Sequence, residues 1–164
     1  MKKTKFFLSI LIAVIFAFQA NSQNTSSDFL STNYEVQFIR TGVDGTILFK
    51  IFSYGRTEDQ AIKNAKSDAL KAVMFKGIPG SDLVNPMVRD ITVLETKKDF
   101  FNTFFETDQF QQYVSISGDG TIDGEDRLKV GKKYKIGVVV SVQKNNLRKL
   151  LENDGIIKAL NAGF

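Results

Sequence analysis

Hydrophobic and polar positions alternate most cleanly in KYKIGVVVSVQ, Lys133 to Gln143, where Tyr134, Ile136, Val138, Val140 and Val142 fall on one side of an extended chain. A period of two residues marks a strand with one buried face. The same period runs through YEVQFIR, Tyr34 to Arg40, with Tyr34, Val36 and Phe38 set against Glu35 and Gln37. TILFKIFSY, which follows, is denser in β-branched and aromatic residues, and TGVDGT between the two supplies a glycine-containing turn, so the pair predicts a β-hairpin. The period then lengthens. From Ser53 to Asp82, in SYGRTEDQAIKNAKSDALKAVMFKGIPGSD, Ala61, Ala65, Ala69 and then Ala72 or Val73 recur at helical spacing, and Ile62 and Leu70 widen the stripe. Asp59, Lys63, Lys66, Asp68 and Lys71 take the opposite side. Thr57 and Gln60 form a capping-box pair at the start, while Gly77 and Pro79 end the segment. Alanines let a helix axis approach another element closely, so this helix is expected to dock on the hairpin.

Downstream, ITVLE reads as a short strand and TKKDFFNTFFE as a helix beginning near Thr96. YVSIS is extended, GDGTIDGED is a turn, and NNLRKLLEND is a short helix that Gly155 interrupts before IIKALNAGF. The order strand, strand, helix, helix, strand, strand, helix predicts a single α+β domain over residues 34–164, with a mostly antiparallel sheet and about three helices. No repeat at solenoid spacing occurs.

The amino terminus has a different character. A basic start, MKKTK, precedes an apolar run from Phe6 to Phe18 and then the small, polar QANSQN, which is the pattern of a secretory signal peptide over residues 1–22. As a helix that run rises only about 20 Å, short of the roughly 30 Å hydrocarbon core of a bilayer. Ala20 and Ser22 place the cut between Ser22 and Gln23, with Ala20 as an alternative site. With no cysteine in the chain, neither a lipid-anchored amino terminus nor a disulfide can form. Residues 23–33, small and polar, read as a flexible leader. The expected address is periplasmic or extracellular, with no integral span after processing.

Export also changes the charge argument. The whole chain has 22 basic and 18 acidic residues, but Lys2, Lys3 and Lys5 leave with the signal segment, and net charge falls from +4 to +1. Nucleic acid is therefore not an expected partner.

The chain has no histidine and no cysteine, which removes the commonest acid-base group, the commonest transition-metal ligand and the thiol nucleophile. No serine-hydrolase elbow and no S-x-x-K motif occurs. Glu58 with Asp59, or Glu125 with Asp126, could serve as acid and base, but adjacent charges in polar stretches are more often solvated surface. GDGTIDGEDRLKV places Asp119, Thr121 and Asp123 at alternate positions as in a calcium loop, yet Val130 stands where a bidentate glutamate is needed. Gly131-Lys132 fails as a phosphate loop because Asp126 and Lys133 occupy its other two diagnostic positions. No catalytic residue, cofactor or metal site is assigned.

One stretch exceeds a bland fold. DFFNTFFETDQFQQY crowds Phe100, Phe101, Phe104, Phe105, Phe110 and Tyr113 together, and on a helix Phe101, Phe104 and Phe105 share a face that Phe100 borders. These rings form either a second layer of the core or a partly exposed ridge that contacts a partner. The latter makes all six the candidate interaction surface.

The segments DALKAVMFKGIPGS and DRLKVGKKYKIGVVVSVQ, with NSQN at the processing site, resemble small secreted proteins of Bacteroidota. The hairpin followed by AIKNAKSDALKAV is similar to the amino-terminal domain of the flagellar assembly protein FlgT and related envelope modules. That likeness brings no catalytic residues and implies a periplasmic or outer-membrane-associated interaction module. The expectation is a non-enzymatic secreted protein that binds another envelope protein. The alternative is a small-ligand-binding or hydrolytic domain with its site between the sheet and the Phe-rich segment.

Overall fold

A computed structural model describes Leu30 and residues 33–159. The signal segment, all of the leader except Leu30 and Asn33, and the last five residues lie outside the described residues.

The hairpin forms as the alternation requires. Strand β1, Glu35–Thr41, pairs antiparallel with β2, Ile47–Gly55, through a turn in which Asp44 and Gly45 take positive φ of 54° and 72°. Such a turn carries the right-handed twist of a hairpin. Along β2, burial alternates strictly: Ile47, Phe49, Ile51, Ser53 and Gly55 are inside, and Leu48, Lys50, Phe52 and Tyr54 are half-buried on the other face.

Helix α1, Glu58–Lys71, then crosses β2 and the long strand. The Oγ1 of Thr57 accepts from the backbone N–H of Gln60 at 3.2 Å, while the Gln60 side chain reaches back to the N–H of Arg56 at 2.9 Å. Ala61, Ala65 and Ala69 are fully buried, and a Cβ on Gly55 would meet the backbone of Ala61 at 2.3 Å. The close approach expected of the alanine stripe is therefore present. The helix widens into a π turn over Ala72–Lys76 and stops at Gly77, with φ of 83°, where a side chain would strike the carbonyl of Val84.

ITVLE is not a strand. The N–H and hydroxyl of Thr92 both donate to Asp90, at 3.0 and 2.7 Å, and turn the chain into the short helix α2, Val93–Thr96. Leu94 drops into the core. Helix α3, Lys98–Glu106, follows, and a 3₁₀ turn over Gln109–Tyr113 leads into the short strand β3, Val114–Ile116.

A further strand, β4, Arg127–Val130, lies where only a turn was expected. It forms a tight hairpin through Gly131-Lys132 with β5, Lys133–Val142. Helix α4, Lys144–Asn153, completes the described domain. β5 is central: it pairs with β2 on one side and with β3 and β4 on the other, all antiparallel. The architecture is α+β, with one hydrophobic core between the sheet and the helices.

Candidate functional site

The Phe-rich segment lies mostly within that core. Phe101, Phe104 and Phe110 are buried, and Phe100, Phe105 and Tyr113 are half-buried at its margin. The rings form a contiguous network. Phe100 stacks on Phe104 with centroids 5.7 Å apart and planes 11° apart; Phe104 contacts Tyr113 at 5.8 Å, and Phe101 reaches Phe75 at 5.5 Å. The Lys71 ammonium covers Phe105 at 5.5 Å. Three of the six candidate residues thus belong to a second core layer, and Phe100, Phe105 and Tyr113 keep part of their surface at its margin. Small domains bury such clusters when several elements share them, as α1, α3 and the 3₁₀ turn do here.

The sheet's other face is different. Register places Glu35, Gln37 and Arg40 of β1 beside Phe52, Lys50 and Leu48 of β2. The β2 residues in turn lie opposite Gly137, Val139 and Ser141 of β5, with Tyr54 opposite Lys135. Leu128 and Val130 of β4 extend the same surface and are about half exposed, at 47% and 50%. Leu48, Phe52, Tyr54 and Val139 belong neither to the core nor to the side chains packed on it. A 3₁₀ turn, Gly124–Asp126, laps onto this face, its buried Asp126 seated on Lys50 and beside Gly137. An antiparallel sheet can leave one face to water, but such a face ordinarily reads as polar.

Phe52 sits at the middle of this surface. Its ring lies directly over Gly137, where a Cβ would come within 2.5 Å of Cε1. The Lys135 ammonium is 5.1 Å from the ring centroid and that of Lys50 is 6.0 Å. Both lysines are also ion-paired, Lys135 with Glu35 at 2.6 Å and Lys50 with the buried Asp126 at 2.5 Å. These hydrogen bonds hold both ammonium groups above their ordinary pKa, with Asp126 as the main cause for Lys50 and Glu35 for Lys135. At one end the surface deepens into an open cleft of about 460 Å³ lined by Tyr34, Tyr54, Val130 and Lys133. The sequence signal for this face was the alternation of Leu48, Lys50, Phe52 and Tyr54, masked because the intervening residues are apolar too.

Two of the four carboxylates weighed as acid and base are engaged in ion pairs. Glu58 pairs with Arg127 at 3.4 Å, and Asp126 holds Lys50. Asp119 accepts from the N–H of Thr121 at 2.9 Å, which with the Thr121 side chain keeps its carboxyl below the usual range and makes the loop a turn. Gly131-Lys132 is the β4–β5 hairpin turn. No family model, curated protein or solved structure matches this chain.

Proposed function

We propose that this chain is an exported, non-enzymatic envelope protein that binds another envelope protein through the outer face of its sheet, opposite the core. The export half of the proposal rests on the basic and apolar pattern of residues 2–18, and the resemblance to secreted envelope modules belongs to the same reading. The binding half rests on one observation: Leu48, Phe52, Tyr54 and Val139 share a face that contributes nothing to the core. Aromatic and aliphatic side chains on a rigid, pre-formed surface are what interface centres are made of. The charge of the face names the partner's chemistry. Its acid Glu35 is already paired with Lys135, whereas Arg40 and Lys133 have no ion-pair partner among the described residues. A complementary surface is therefore apolar at its centre with carboxylates at its margin.

A photo-crosslinking amino acid placed at Leu128 or Val130 in cells tests this, with the same probe at Asp59 on the helical side as control. The expected result is one discrete adduct from the sheet positions, with a partner identified by mass spectrometry whose purified form rebinds. Adducts of equal yield from Asp59, or none from either sheet position, would contradict the proposal.

A further inference from the structure

A second surface is independent of the sheet face. Between α4 and the 3₁₀ turn that ends the Phe-rich segment runs a shallow groove of about 350 Å³, and its lining is chemically unusual. Gln143, Asn146, Leu150 and Asn153 recur along one side of α4, and Gln112 and Tyr113 face them from the turn. Lys149 stands at the rim. Four carboxamides thus converge on a single aromatic ring with no carboxylate in the lining. The backbone fixes the two walls to one another, since the N–H of Gln143 donates to the carbonyl of Tyr113 at 2.9 Å. One amide is already oriented: Asn146 Nδ2 donates to Gln143 Oε1 at 2.7 Å. Among the described residues no hydrogen bond or ion pair engages the side chains of Gln112, Lys149 or Asn153.

We propose that this groove binds a neutral oligosaccharide. Each carboxamide presents a donor and an acceptor side by side, which matches the adjacent hydroxyls of a sugar ring, each both donor and acceptor. Tyr113 supplies the apolar platform on which the C–H face of a pyranose can rest, and its ring is braced from behind by Phe104 at 5.8 Å. Burial, and secondarily Asp154, raises the Tyr113 pKa, so the phenol remains a donor near neutrality. An extended peptide would instead seek a sheet edge or an apolar pocket for its side chains, and this lining offers neither. The groove has no acid to protonate a glycosidic oxygen, so the expected event is capture without cleavage.

The test is a titration of the processed protein with cellohexaose, maltohexaose and chitohexaose, followed through the side-chain NH₂ signals of Gln112, Gln143, Asn146 and Asn153. Hexagalacturonate and hexaglycine serve as the anionic and peptide arms. The expected result is a saturable shift of these four amides with at least one neutral hexasaccharide, and a weakening of about tenfold or more in Asn146→Ala and Asn153→Ala. Both residues are exposed, so the variants should keep the wild-type unfolding midpoint. Tyr113→Phe should retain binding within about threefold, since the ring remains. Three outcomes would overturn the proposal: no amide shift with any neutral hexasaccharide up to about 10 mM, tighter binding of hexagalacturonate or hexaglycine than of every neutral sugar, or variant affinities equal to wild type.

Discussion

Ser53, fully buried near the end of β2, donates a 2.8 Å hydrogen bond from its hydroxyl to Oδ2 of Asp68 on α1. With the bond from Asn64 Nδ2 to the Tyr54 carbonyl at 2.8 Å, this ties the sheet to the helix that covers it. Burial pushes the Asp68 carboxyl above its ordinary value of 3.8, while the Ser53 hydroxyl and Lys71, 3.9 Å away, act in the opposite sense. A carboxyl whose folded pKa is raised binds its proton more tightly in the folded state, so it lowers stability as pH rises from 3.8 through the folded value. The stability of wild type relative to Asp68→Asn should therefore fall across that window and level off above it. Ser53→Ala should cost about 1 to 3 kcal/mol at neutral pH, and less in acid where Asp68 is protonated. Urea midpoints measured through the window check both; a wild-type advantage over Asp68→Asn that grows with pH would refute them.

Ala69 lies with no exposed surface beneath the sheet. Ala69→Leu must force extra methylenes into a filled layer and should cost roughly 1 to 3 kcal/mol. Lys66→Ala, toward solvent, should stay within about 0.5 kcal/mol. Chemical denaturation decides this, and an Ala69→Leu midpoint equal to wild type would mean that α1 does not dock on its alanine stripe.

The two readings of the Phe-rich segment differ in energy. Phe101→Ala and Phe104→Ala, at fully buried positions, should each cost about 3 to 5 kcal/mol, whereas half-buried Phe100→Ser should cost about 1 to 2 kcal/mol. Thermal unfolding of the three variants gives the ranking. Equal, small losses at all three would restore the aromatic ridge as a surface.

Gly137 is the floor under Phe52, so Gly137→Ala should lift the ring off the sheet and away from Lys135. The ring can swing, but the new methyl also meets Asp126 Oδ1 at 3.0 Å, and that carboxylate is buried on Lys50, so the expected cost is about 1 to 3 kcal/mol. Loss of the ring-current shift on the Lys135 ε-methylene is the signature to look for. An unchanged shift would show that the ring does not rest there.

Strong local signals carried over into the fold: the hairpin, the capped alanine helix and the long β5 strand are where periodicity places them. Tertiary context decided the rest. ITVLE has strand propensity, but Asp90 captures Thr92 and starts a helix that buries Leu94. β4 is legible in RLKV-GK-KYKI as two short runs around a two-residue turn, but RLKV is short and half charged, so its periodicity alone does not separate a strand from the loop before it. The six candidate aromatics were visible as a cluster, yet composition does not say which side of a helix meets a core. The sheet's second face is not legible in the sequence, because burial on one face does not reveal whether the other is covered.

The claim that the outer sheet face is the binding surface is tested most directly by Val139→Asp. Val139 is half-buried opposite Lys50 across the β2–β5 ladder; Lys50 already holds Asp126, so the new carboxylate shares that cation, and the parallel unfolding run checks that the fold is kept. The measurement is calorimetric titration of the cross-linked and identified partner into wild type and Val139→Asp, with thermal unfolding of each run alongside. The expected result is an affinity lowered about tenfold or more with the unfolding temperature nearly unchanged. Undiminished affinity in a folded Val139→Asp protein would contradict the account.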